Sequence, residues 1–409
     1  MRRLIKKFLL VALISTFCFI TGCGNNATKQ ANGPITIKLG CWDGEDSQKN
    51  FIKMSEGNGV GTLEIMSYPT SNDFWSKIGS QAAAGTAPDI ALVTNDKIYE
   101  YVSRGLVAEI DTSKVDLSNL NKMALEAWTI DGKLYGYPME IEPNCLVINM
   151  NVWTEAGLTE KDFPKTWDDV ERLSAVVKEK CKDAYGFCFY AEDPFHITNL
   201  VNCFGGGWGY GETIDSDANA EAIDWLIKMF NEGYACTPAQ LGYTWDGEVM
   251  VANKAAMTTG GVWYYNTMAS ANMQDQYRVV TLPTKDENTG TSVIHSGAFV
   301  IINGTQNYDA ALQMVSYLAR PEAQEMRSAL VGNIPSDKTI RAEFYDSHET
   351  LKPLEGAEEG TNPSAYPIES EKFTSNLINN LTKVLYDEKD MGITGKDILK
   401  KVIEADDYK

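Results

Sequence analysis

Histidine is almost missing from this chain, with three in 409 residues. That leaves little for histidine-based acid–base catalysis. No Cys-x-x-Cys, His-x-x-His or His-Glu-x-x-His spacing occurs, so a zinc site has no support and no metal or cofactor is expected. Basic residues are short as well. Lys plus Arg number 36 against 56 Asp plus Glu, a net charge of −20. That deficit excludes nucleic acid, which demands clustered cations, and excludes an anionic membrane as an electrostatic partner of the body. No apolar run approaches the roughly 20 residues that a bilayer-spanning helix needs. Proline is sparse, at 14, and 44% of residues are hydrophobic, so the chain can bury a large core. Its length fits about two or three domains. No internal repeat or low-complexity tract is present.

What is there begins with an export signal. Arg2, Arg3, Lys6 and Lys7 form a basic head before an apolar run at residues 8–20. The run ends in Ile20-Thr21-Gly22-Cys23, which resembles the lipobox of bacterial lipoproteins, with Ile20 where Leu is commoner. The resemblance implies cleavage after residue 22 and diacylglyceryl modification of Cys23. A second acyl chain makes such an anchor stable. Residues 24–34 (GNNATKQANGP) are polar and aperiodic, as in a flexible tether. The body is therefore expected outside the cell membrane, held there by lipid alone. Without residues 1–22 the chain keeps 32 basic and 56 acidic side chains, a charge of −24. Six cysteines follow Cys23: Cys41, Cys145, Cys181, Cys188, Cys203 and Cys236. Buried free thiols are the expectation, with one or two bridges as the alternative and Cys181–Cys188 the nearest pair.

The body alternates strand and helix patterns. Ile35, Ile37 and Leu39 alternate as a half-buried strand, Leu63 and Ile65 suggest a second, and residues 88–93 a third, covered on both faces. Helical spacing joins Phe74, Trp75, Ile78, Ala82 and Ala83 behind Ser71 as the expected N-cap. Another helix carries Ile98, Tyr101 and Val102 and stops at Gly105. Asp131-Gly132 marks a hairpin turn, Thr166 with Asp169 a helix start, and 217–231 an amphipathic helix. Strands are expected at 279–282 and 298–302, and helices at 310–318, 373–386 and 394–403. The rhythm is that of an α/β protein with a helical tail.

Several segments in order resemble the carbohydrate-binding, maltose-binding branch of ABC-transporter solute-binding proteins. They are 81–89 (QAAAGTAPD), 131–138 (DGKLYGYP), 149–157 with 164–169 (NMNVWTEAG, PKTWDD), 254–257 with 260–263 (KAAM, GGVW) and 321–324 (PEAQ). The resemblance implies a periplasmic-binding-protein-like fold of two α/β lobes joined by a multi-segment hinge. One lobe would hold 35–141 and 296–337, the other 145–292 and 341–409. It implies a monomer, not an enzyme, that closes on an oligosaccharide and delivers it to ABC permease subunits.

A sugar ring presents C–H faces that stack on aromatics and hydroxyls that need planar donors and acceptors. Trp42, Asp43 and Glu45 follow the first strand, where α/β sheets place their binding crevice. The resemblance implies sugar-binding carboxylates at Asp96 and Glu142, with Asn144 beside the latter, and Asp193 and Phe195 where the family has an acid and a stacking Tyr. Trp263 is the chief stacking candidate, with Tyr264 beside it. Trp208, in a glycine-rich loop that is no dinucleotide fingerprint, Trp245 and His295 complete the set. For each the plain alternative is a structural role: a solvated loop, a helix cap, a hinge ion pair or core packing. Trp75, Trp128, Trp153, Trp167 and Trp225 are expected in the core. Val93 stands where the branch has a Trp, Phe373 replaces another at a ligand position, and Lys97 replaces an Arg, so maltodextrin is not implied. A charged solute such as a polyamine or phosphorylated polyol, or glycoside hydrolysis by paired carboxylates, are the alternatives.

Overall fold

The computed structural model describes residues 35–286, 289–387 and 391–406. The export segment, Cys23 and the tether lie outside the described residues.

The expected alternation at Ile37 and Leu39 produces the strand Ile35–Cys41, parallel to Gly61–Ser67 on one side and to Ile90–Thr94 on the other. The long strand Ile294–Ile302 comes next, antiparallel, and also pairs with Val107–Ala108 and Gly136–Pro143. Helices Glu45–Met54, Ser71–Ala84 and Tyr308–Leu318 pack here, and Phe51, Ile78, Leu92, Phe299 and Val315 share one core. The helix from Ser71 is capped one residue earlier than expected. Thr70 is extended and accepts from the Asp73 amide, which leaves Ser71 as the first helical residue.

A second sheet runs in the order Ala235–Cys236, Tyr185–Cys188, Ala255–Gly260, Cys145–Asn149, Tyr277–Thr281. It is buried on both faces. On Cys145–Asn149, Leu146 and Ile148 join a core with Trp167, Phe187, Trp225 and Leu377, while Cys145 and Val147 join another with Tyr264, Val279 and Tyr345. Helices Trp167–Lys180, Asp217–Asn231 and Ser370–Tyr386 cover the first of these faces. The Thr166 and Asp169 side chains form a reciprocal capping box, and Asp131 and Gly132 adopt positive φ in the hairpin between Thr129–Ile130 and Lys133–Leu134. Strands Gly136–Pro143 and Cys145–Asn149 are buried at every residue. No alternation therefore marks them in the sequence. The six described cysteines are buried and free.

Each sheet thus organises one α/β lobe. The chain leaves the first sheet at Pro143, enters the second at Cys145, and returns between Thr281 and Ile294. Asn144 is the single residue between the sheets on the outward crossing. Its Nδ2 donates to Asn199 Oδ1 and to the Val293 carbonyl, both at 2.8 Å, and so ties the outward crossing to the return.

Candidate ligand cleft

Segments of both lobes and of the return crossing converge beside these crossings. The first lobe contributes Thr94, Asp96 and Lys97 at the carboxyl end of Ile90–Thr94, where α/β sheets leave a crevice. The second lobe contributes the segment from Tyr190 to Thr198, Trp245 and Trp263, and the first turns of the helix Ser370–Tyr386. The return crossing supplies Val293, Ile294 and His295. Between them lies a cavity of about 830 Å³.

Of the residues anticipated in the sequence, Asp96, Asp193, Phe195, Trp245, Trp263 and His295 line this cavity. Phe195 and Trp263 meet edge to face at 5.3 Å and 68°. Both indoles lie close over backbone: a β-carbon at Gly261 would collide with the Trp263 ring, and one at Gly247 with Trp245. Those two glycines set where the rings can lie. Asp193 is also a helix cap, accepting from the Phe195 amide at 2.9 Å. Asp96 accepts from the Thr94 hydroxyl.

His295 forms the floor with its ring about a third exposed, its Nδ1 3.3 Å from Glu142 Oε2. Burial opposes the charged imidazolium, but the hydrogen bond to Glu142 and the charges of Glu142, Asp96 and Glu140 outweigh it, and the pKa rises to about 9. Glu142 itself is buried behind the ring. Burial and the Glu140 charge raise its pKa, against the pull of His295.

The remaining anticipated residues lie elsewhere, for identifiable reasons. Trp42 packs on Phe74 at 5.8 Å, half-buried against the first core. The Asp43 carboxylate is taken by Arg327, whose guanidinium also binds Glu140. Glu45 is exposed in the first turn of its helix and pairs with Lys49. Asn144 is buried in the crossing. Trp208 and Phe373 are core residues, packed on each other at 5.2 Å, and the Trp208 Nε1 is satisfied by Thr198 Oγ1. Tyr264 is fully buried and donates to Asp246 Oδ2 at 2.6 Å. Burial and the neighbouring Asp246 charge lift its phenol well above the usual range. Trp75, Trp128, Trp153, Trp167 and Trp225 are buried. Among the described residues no cluster of three or more His, Cys, Asp or Glu could hold a metal ion.

Residues 49–353 match the family model described as bacterial extracellular solute-binding protein. The chain belongs to that family. Among its relatives is the galactooligosaccharide-binding protein of Bacillus subtilis (strain 168), 21% identical over 81% of this chain and 80% of that protein. The maltodextrin-binding protein MdxE of the same organism is 27% identical over 68% of each chain. The fold of this solute-binding protein matches that of the sugar-binding protein MalE from Xanthomonas citri, with TM-score 0.77, 16% identity and 91% and 97% of the two chains covered. An ABC substrate-binding protein of Listeria monocytogenes in complex with cycloalternan gives 0.75 at 19% identity, covering 92% and 99%.

Several lining residues of this solute-binding protein were not anticipated: Tyr190, Glu192, Thr198, Tyr366, Glu371 and Thr374. Tyr190 and Glu192 stand within three residues of Asp193, so widening that segment would have found them. Tyr366 and Glu371 come from the far end of the chain, where the sequence signalled a helix and pointed to Phe373 instead.

Proposed function

We propose that this protein is a lipid-anchored, extracellular receptor that captures a sugar or oligosaccharide and hands it to an ABC import permease. The observation that carries the sugar reading is the set of rings from Phe195, Trp245 and Trp263 sharing one cavity with the planar polar groups of Asp96, Asp193 and His295. Apolar faces and a few placed acceptors are what a pyranose needs, and about 830 Å³ lies within the roughly 300–1,000 Å³ of small-molecule sites. The sugar ligands named for the relatives support the same class. Ligand between two lobes would favour the closed arrangement, and that closed surface would be what the permease reads. The lipobox-like Ile20-Thr21-Gly22-Cys23 supports the anchor.

The second reading is a cationic solute such as a polyamine, because Glu192 adds to the acids Asp96 and Asp193 of the same cavity. Calorimetry with neutral mono- to hexasaccharides, spermidine and glycerol phosphate separates the two. A neutral sugar bound at micromolar affinity or tighter, and recovered uncleaved, is expected. Binding of spermidine with every sugar silent overturns the sugar reading, and released hydrolysis products revive the glycosidase alternative.

A further inference from the structure

The helix Ser370–Tyr386 brings Ser370, Glu371, Thr374 and Ser375 to the cavity, yet the side chain of its N-cap residue does not cap it. Helix starts leave backbone N–H groups without partners, and a Ser, Thr, Asp or Asn at the N-cap normally accepts one. Here the N-cap residue is Glu369, in a left-handed conformation with φ 63° and no side-chain capping hydrogen bond. The cap comes from the other lobe. Glu100, on the helix Ile98–Ser103 next to the cavity residues Asp96 and Lys97, accepts at Oε2 from both the Ser370 N–H at 3.0 Å and the Ser370 hydroxyl at 2.7 Å. Both residues are buried, at 5% and 2% exposure. Arg104 holds the other oxygen, Oε1, at 2.8 Å, which orients the carboxylate. A carboxylate at a helix N-terminus gains from the helix dipole as well as from the hydrogen bonds.

We propose that Glu100 is a positioning residue that caps the cavity-lining helix from the opposite lobe and thereby latches the cleft shut. Two neighbouring contacts belong to the same seam. Lys97 pairs with Glu371 one residue along the helix, and Tyr99 packs on Tyr210 at 4.0 Å. Tyr210 is itself left-handed at φ 57°, and its amide donates to the carbonyl of Ala365, left-handed at φ 48°. Non-glycine residues persist in that region where surrounding contacts over-determine them. Three of them, Tyr210, Ala365 and Glu369, sit in the second-lobe segments at this seam. Opening the lobes would return Glu100 and the Ser370 amide to water, so Glu100, which does not line the cavity, biases closure from behind it. Removing a cap corresponds to about a two- to thirtyfold shift in the closed-to-open ratio.

The proposal rests on the cleft being a ligand site that opens and closes, but its test needs no ligand. Small-angle scattering and amide exchange are measured on the unliganded wild type, Glu100→Ala and Glu100→Gln, with circular dichroism checking that each is folded. The expected result is a larger radius of gyration and faster exchange at the Ser370 amide in Glu100→Ala, with Glu100→Gln, which keeps an acceptor, in between. If Glu100→Ala does not fold, the same two readouts on Glu100→Gln decide. Unchanged radius and Ser370 exchange overturn the latch, even where calorimetry upholds the sugar reading. Conversely, a larger radius with faster Ser370 exchange supports the latch even in a cleft that binds no sugar.

Discussion

Phe195 and Trp263 stand edge to face, 5.3 Å apart, in the wall of a cavity that both lobes line. Phe195 follows its helix's first residue, Pro194, and Trp263 begins another helix, so both rings sit on regular structure. A ring held this way loses little freedom when a sugar face covers it, and aromatic contacts contribute about 0.5–1.5 kcal/mol beyond the area they bury. Trp263→Ala is therefore expected to weaken the best sugar ligand at least about tenfold in calorimetry, with Trp263→Phe retaining part of the affinity. Equal affinities for wild type and Trp263→Ala would remove the stacking role.

Trp208 tests the opposite case. It is buried against Phe373, behind the lining residue Thr198, and does not itself line the cavity. Trp208→Ala is expected to lower stability by about 3–5 kcal/mol in urea unfolding, the usual cost of emptying an aromatic core position. Affinity measured well below the melting temperature should change far less than in Trp263→Ala.

The Arg327 guanidinium lies between Asp43 and Glu140 and is nearly buried. Arg327→Met strands the buried Glu140 carboxylate and should cost about 3–5 kcal/mol. Adding Glu140→Leu removes the stranded charge and should recover most of that loss. Chemical denaturation of the single and double variants checks the coupling, and simple additivity would contradict it.

His295 carries a pH signature. Its pKa is raised from 6.5 to about 9 by Glu142, so its stabilising contribution is fully present below pH 6.5 and is lost as pH rises through about 9. Wild type should lose more thermal stability between pH 7 and pH 10 than His295→Gln. Parallel curves for the two proteins would show that the imidazolium pair adds nothing.

Much of this architecture was legible residue by residue. Thr166 with Asp169 announced a capping box, Asp131-Gly132 a hairpin, and Ile37 and Leu39 a strand alternation, because each pattern is satisfied by neighbours a few positions away. The strands on either side of Asn144 were not legible. Both their faces are buried, so their composition carries no period, and their partners lie far along the chain. The site divided in the same way. Trp42, Asp43 and Trp208 are the right residue types at plausible loop positions, but Phe74, Arg327 and Thr198 claim their rings and charges first.

Sequence alone therefore determined the charge, the absence of metal-ligand spacing, the export-like N-terminus and the local starts and stops of helices, since each depends on contacts within a few residues. Tertiary structure alone decided which aromatics reach the cavity, which carboxylates are already paired, and that Glu100 caps a helix 270 residues further along the chain. Those outcomes depend on which distant surfaces the fold presses together, and no local pattern encodes that competition.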